Sequence, residues 1–491
     1  MHNDILVRKQ VVKLNVSDEA LAFSLRKHIE ANFEADITSV LEGVFNQGIS
    51  AGGYLVIDQL NVDIGTISVH DLEHRLPELM QQKLVKELAA LFNDTGNYQH
   101  TPSWPDGGST AFEIAADANK KSSDDIQYRS AGEQEMIALL YFLQYGVYPW
   151  WQKNELINDP RQVLGDSSAK HLETILSQVL TMIDAQAGQD AKNIIQRVFN
   201  YLTIGQQQQF IQLLVKERSL SSVDLDNLFQ GQSTLSDLFD ISLNEYYCRL
   251  FKYIWHHGNN ANDQKFVYEL IQHADIPHEE ILNKAILLKV DENVFTAINN
   301  FPAAKYTALS DEKAATKPAA DTIKHEGLYI INAGLILLHP FLSNYFKGVG
   351  LLNDANQFAS VQHQQKATVL LYYLQCGDDE YNEWEMPFNK ILCGVELTDT
   401  LPNDIKLTDD EKQEADSLLE AVAEHWSALK GASIGALRQT FLLRNGKLSF
   451  KDDNWLLQVE RTGTDILLDR LPWGIGTAKL PWLKQIIYTE W

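Results

Sequence analysis

The spacing of apolar residues changes character along this chain, and no single fold can run through the breaks. In the middle the apolar positions recur at helical spacing: Leu172, Ile175, Leu176, Val179 and Leu180, then Ile194, Ile195, Val198 and Phe199, then Phe210, Leu213 and Leu214. Tyr246, Leu250 and Tyr253 continue the pattern, as do Phe266, Leu270 and Ile271, with "HHGNNAND" as a turn signal between them. Towards both ends the period shortens to two. Residues 98–130, rich in Gly, Pro, Ser and Asp, and 302–326, rich in Ala, Lys, Thr and Pro, sustain no apolar period. They read as linkers, which leaves three domains: 1–97, 131–301 and 327–491.

The first domain opens on a strand-like run, Val7, Val11, Val12, Leu14 and Val16. Ser17 and Asp18 are N-cap candidates for a helix carrying Leu21, Leu25 and Ile29, and Ile37, Val40, Leu41 and Val44 extend the helical spacing. In "YLVIDQLNVDIGTISV", Leu55 and Ile57, then Leu60, Val62 and Ile64, alternate as strands do. Asp71 then caps a helix with Leu72, Leu79, Leu84, Leu88 and Leu91, for a β-α-β-β-α unit. The last domain mixes periods: helices over 368–376 and 409–429, and short strands over 447–450, 455–460, 475–479 and 486–490. The fold class is α+β multidomain, with a mainly α-helical middle and a mixed α/β C-terminal domain ending in short antiparallel strands. One echo crosses the domains: "IALLYFLQYG" (137–146) resembles "TVLLYYLQCG" (368–377), each an aromatic helix closing on glycine.

Charge and cysteine usage remove whole classes of function. The formal net charge of −25 offers no concentrated basic face, so nucleic acid is not the expected partner. Cys248, Cys376 and Cys393 are far apart and lack C-x-x-C spacing, which indicates neither a disulfide framework nor a zinc knuckle. The longest strongly apolar run, Leu335 to Leu338, is far short of a membrane span, and the N-terminus has no signal-peptide core. A cytoplasmic chain without a membrane span is expected.

The candidate chemistry is thin. "GASIG" (431–435) matches the nucleophile-elbow pattern, but a helix and not a strand precedes it, so Ser433 reads as an N-cap. "GIGTAK" (474–479) lacks the third glycine and the following helix of a phosphate loop. His256 and His257 have no ligand partners at helical spacing, and the acidic runs 378–380 and 409–411 lack the calcium-loop glycine. No catalytic residue, cofactor site or metal site is assigned, and the chain reads as non-enzymatic.

What stands out is the tail, "LLDRLPWGIGTAKLPWLKQIIYTEW". Six of the ten tryptophans lie from Trp384 onward, and at that density aromatics build either a core or an interface cluster. Trp473, Trp482 and Trp491, with Pro472, Pro481 and Tyr488, are therefore the candidate interaction residues. Trp491 fits either role equally, because a terminal residue must be actively held.

Five segments, "LLHPFLSNYFKGVGLL" (337–352), "NKILCGVELTDTLP" (389–402), "AVAEHWSALKGASIGALRQTFLLRNGKL" (421–448), "WLLQVERTGTDILLDRLPWGIG" (455–476) and "LPWLKQIIYTEW" (480–491), resemble in order the C-terminal region of contractile injection system tape measure proteins. That family serves phage-tail-like particles such as the antifeeding prophage and the Photorhabdus virulence cassette. "LVIDQLNVDIGTI" (55–67) resembles its N-terminal stretch, while the middle is similar in character more than in detail. The resemblance implies a structural protein that helps set tube and sheath length and organises assembly on the baseplate. The implied partners are the inner tube, the baseplate hub or spike, tube-terminating proteins and further copies of itself. The chain would be assembled in the cytoplasm and retained in the particle lumen. An alternative is a globular assembly chaperone or binding module for tail and baseplate subunits. A ruler should be extended, and a fully helical chain of this length would reach ~740 Å. The strand periods and core-sized aromatics point instead to folded end domains, with reach supplied by the linkers and the helical middle.

Overall fold

The computed structural model of the chain describes residues 5–7, 10–13, 15–16, 18–33, 37–48, 53–57, 59–94, 126–152, 157–165, 168–186, 188–221, 223–274, 276–301 and 327–491. Ser17, the stretch 302–326 and all of 98–130 except its last five residues lie outside the described residues. The chain divides into two compact units, 1–137 and 138–491.

The first unit contains α1 (Glu19–Phe33), α2 (Ser39–Gly48) and α3 (Val69–Asp94), with β1 (Gly53–Ile57) paired antiparallel to β2 (Ile126–Ser130). Asp18 Oδ1 caps α1 by accepting the Leu21 N–H at 2.8 Å. Along α3, Leu72, Leu76, Met80, Leu84 and Leu88 form one stripe, packed on Leu25 and Ile29 of α1 and on Val40 and Val44 of α2. The α3 cap is Ser68 and not Asp71: Ser68 Oγ accepts the Asp71 N–H at 3.1 Å and donates to its carboxylate at 2.8 Å.

Two expected strands differ. Val7, Val11, Val12 and Val16 are exposed and carry no ladder among the described residues. Leu60, Val62 and Ile64 do turn inward while Asn61 and Asp63 face solvent, again without a ladder. Alternation in sequence sets which face is apolar; a strand also needs a second backbone to pair with. Conversely β2 arises from "IQYRS", read as the end of a linker because five residues are too few to show a period.

The second unit starts within α4 (Ala131–Tyr145) and continues through α5 (Pro160–Gly165), α6 (Ala169–Asp184), α7 (Gly188–Tyr201), α8 (Ile204–Glu217), α9 (Leu225–Gln230) and α10 (Gln232–Phe239). Helices α11 (Leu243–His257), α12 (Asp263–Gln272), α13 (His278–Leu288) and α14 (Glu292–Asn299) follow. The apolar positions that defined the helical pattern, from Leu172 to Ile271, are all buried. Phe199, Phe210 and Phe251 meet at their centre, with ring centroids of 210 and 251 at 4.6 Å.

The C-terminal part builds a five-stranded sheet in the order β3-β4-β5-β7-β6. Its strands are β3 (Leu328–Ile330), β4 (Gly446–Lys451), β5 (Asn454–Val459), β6 (Thr477–Ala478) and β7 (Ile487–Glu490). Between β3 and β4 lie α15 (His339–Gly348), α16 (Val361–Cys376), α17 (Pro387–Cys393), α18 (Asp409–His425) and α19 (Ile434–Leu437). The β4–β5 hairpin turns on Asp452 and Asp453 at φ 51° and 59°, the left-handed pair that a two-residue hairpin requires. The sheet is mixed and not wholly antiparallel. β7 runs parallel to β5 because the connection 460–486 carries the chain through a 3₁₀ segment (Gly463–Arg470) and β6 before returning. Buried Leu328, Leu448, Leu457 and Ile487 turn to the helices, and Tyr329 and Tyr488 face outward. A Cβ on Gly334 would lie 1.6 Å from the Phe441 carbonyl oxygen, so only glycine lets these two backbones approach.

Candidate functional site

Three indole N–H groups help fasten the tail to the C-terminal part. Trp473 Nε1 donates to the Leu337 carbonyl at 3.0 Å, and its ring meets Phe341 edge-on at 5.0 Å. Trp482 Nε1 donates to the Leu392 carbonyl at 2.8 Å, with Phe346 and Phe358 against its ring at 5.6 and 5.1 Å. Trp491 Nε1 donates to Asp465 Oδ2 at 3.1 Å, the Arg444 guanidinium lies 5.6 Å from its ring centroid, and Arg461 donates to its carbonyl oxygen at 2.9 Å. Arg444 also pairs with Asp465 and donates to Thr462. The three tryptophans are half-buried at the edge of the core, while Pro472, Pro481 and Tyr488 are exposed.

The alternative chemical readings resolve into capping. Ser433 Oγ accepts the Ala436 N–H at 3.2 Å as the N-cap of α19. Asp409, Asp410 and Glu411 occupy the first turn of α18, where the helix dipole favours carboxylates, and Thr408 and Glu411 form a capping box. His257 Nδ1 sits 3.0 Å from the Tyr253 carbonyl of its own helix. Among the described residues no group of three or more His, Cys, Asp or Glu side chains could hold a metal ion. Among them, too, no helix is long and apolar enough to cross a membrane.

The two helices that echo each other in sequence also end alike. α4 closes on Gly146 at φ 75° and α16 on Gly377 at φ 81°. Each glycine N–H bonds the carbonyl four residues back, Phe142 or Tyr373, at 2.7 Å. An arginine from elsewhere then caps each end. Arg197 donates to the Leu143 carbonyl at 2.8 Å and lies 5.9 Å from the Phe142 ring centroid. Arg438 donates to the Leu374 carbonyl at 3.1 Å and lies 5.3 Å from that of Tyr373. Leu143 and Leu374 hold the same place in the two runs, as do Phe142 and Tyr373. Each arginine has a carboxylate partner, Glu383 at 3.0 Å and Asp416 at 2.8 Å. A cation at a helix C-terminus is where the dipole favours one.

Around Arg197 lies a buried charge cluster that sequence reasoning missed. Arg197 and Lys390 are fully buried and Glu383 nearly so; Lys390 Nζ reaches Glu383 Oε1 at 2.6 Å. Carbonyl oxygens of Leu397 and Asp399 accept from Lys390 at 3.1 and 2.7 Å, and that of Thr398 accepts from Arg197 at 2.8 Å. Burial pulls the Lys390 ammonium below its ordinary range, with Glu383 opposing. Burial likewise pushes the Asp399 carboxyl up, opposed by a hydrogen bond from Asn193 at 3.1 Å. One signal was available: Arg197 stands three residues after Ile194, inside the apolar stripe of its helix. Glu383 and Lys390 gave none: they stand in no apolar stripe, and the arginine that Glu383 pairs with is nearly two hundred residues away.

A family model described as contractile injection system tape measure protein matches residues 3–491. No curated protein and no solved structure matches the chain.

Proposed function

The chain belongs to the contractile injection system tape measure protein family, and from that membership we propose that it helps set tube and sheath length and organises assembly on the baseplate. The observation that carries the reading is the extent of the match, from residue 3 to residue 491, which leaves no part of the chain to a different family. The role is structural and non-enzymatic. Its partners are the inner tube, the baseplate hub or spike and the tube-terminating proteins, met in the cytoplasm during assembly, and the chain stays in the lumen. The C-terminal part is the anchor, and Trp473, Trp482, Trp491, Pro472, Pro481 and Tyr488 are the contact residues.

The test follows from the ruler's geometry. Excising 131–301 would remove Arg197 from its buried pairing with Glu383, so lengthening 302–326 is the cleaner change. Particles assembled with one or two duplicated copies of that stretch are expected to lengthen stepwise under electron microscopy. Unchanged length overturns the ruler model.

A second reading, an assembly chaperone or binding module, is favoured by the buried apolar core that each unit has of its own. Mass spectrometry of purified particles separates the two: a ruler remains in them and a chaperone does not.

A further inference from the structure

Helix α7 and the segment 383–403 meet across a joint held mainly by polar bonds. Besides the pair of Arg197 with Glu383, Asn193 donates to Asp399 at 3.1 Å and Asn200 to the Leu401 carbonyl at 3.0 Å. In the other direction Thr400 donates to the Asn193 carbonyl at 2.8 Å and Asn403 to that of Asn200 at 2.8 Å. Next to Glu383, Trp384 enters a socket of Phe142, Tyr148 and Tyr201, with ring centroids at 5.9, 6.4 and 5.9 Å. Both plug residues stand on one 3₁₀ turn, Glu383–Glu385.

Each side of the joint is rooted in a core of its own: Phe199 of α7 packs with Phe210 and Phe251, and Phe388, Leu392 and Leu397 of the other side belong to the C-terminal core. Before residue 328 the C-terminal core takes Val147 as its only fully buried member among the described residues, with Tyr141 and Tyr145 packed on its edge. Phe199, Phe210 and Phe251 belong to a separate centre. A buried ion cluster fixes register more than it stabilises, because desolvation offsets most of its attraction. Polar contacts between parts of one chain resemble transient interfaces more than cores.

We propose that α7 and 383–403 form a separable joint, with Glu383 and Trp384 as its plug, that opens in one cooperative step before either core unfolds. On opening, Arg197 and Lys390 regain water and the aromatic socket is emptied.

Hydrogen exchange of the full chain, read by mass spectrometry, tests it. In the unmodified protein the amides of 383–386 and of 395–403 should exchange together, ahead of those of α7, α8, α11, β4 and β5. Glu383→Gln, which strands two buried cations, should accelerate both of these segments roughly 100- to 1000-fold and leave the five core elements unchanged. Thr400→Val, which removes one crossing bond at nearly constant shape, should accelerate both segments about 10-fold and keeps the test alive if the first variant fails to fold. Acceleration spread evenly over 138–491 overturns the proposal, as does a joint that exchanges only with global unfolding.

Discussion

At the scale of single residues, close approach and charge decide more than type. Gly146 and Gly377 occupy the same place in two similar helices, but their surroundings differ. A Cβ on Gly146 would meet the Leu397 carbonyl oxygen at 2.8 Å, whereas one on Gly377 would meet only the Arg438 side chain, its Nη1 at 2.8 Å. A side chain can swing away and a backbone carbonyl cannot. Gly146→Ala is therefore expected to cost about 3 kcal/mol or more and Gly377→Ala about 1–2 kcal/mol, compared by chemical denaturation. Equal costs would remove the argument. The capping box of α18 yields a second prediction. Thr408→Ala should lose about 1 kcal/mol. Burial alone would raise the Glu411 carboxyl, but Lys366 and the Thr408 N–H outweigh it and hold the group below its ordinary value. A depressed carboxyl stabilises the fold above its unfolded-state pKa and loses that contribution as pH falls through the folded value. The stability difference between native protein and Glu411→Gln should accordingly shrink as pH falls below about 4.5.

Among the elements, the most exposed to test is β7, a four-residue strand with partners on both sides. Deleting Ile486–Trp491 removes the strand between β5 and β6, the buried Ile487 and the residue that Arg444 and Asp465 hold. The melting transition of the C-terminal part should be lost in a thermal scan followed by tryptophan fluorescence. A deletion that leaves melting unchanged but stops particle assembly would make Trp491 an interface residue instead. Helical elements were legible because a 3.6-residue period repeats over several turns, as in 172–180 and 194–199. Short strands were legible only where turn chemistry bounded them, as at 447–450 and 455–460. The three-residue β3 and the five-residue β2 carry no period of their own, and pairing alone makes them strands.

For the whole molecule, the net charge of −25 sets a field that no local contact cancels. Self-repulsion opposes compactness and is screened by salt. Raising ionic strength from about 10 to about 150 mM should lift the melting temperature by about 2 °C or more, and an unchanged or lower value would show that paired charges dominate instead. The amino-acid sequence by itself determined the helical middle, the α+β class, the caps at Asp18, Ser433, Gly146 and Gly377 and the family, since each rests on local period, turn chemistry or contiguous motif. It also marked the tryptophan-rich tail as distinctive. Only the tertiary structure decided that the three indoles are spent on Leu337, Leu392 and Asp465, that β7 runs parallel to β5, and that Arg197, Glu383 and Lys390 share one buried site. These depend on residues far apart in the chain, and a one-dimensional pattern shows which face a residue takes without naming what it will meet there.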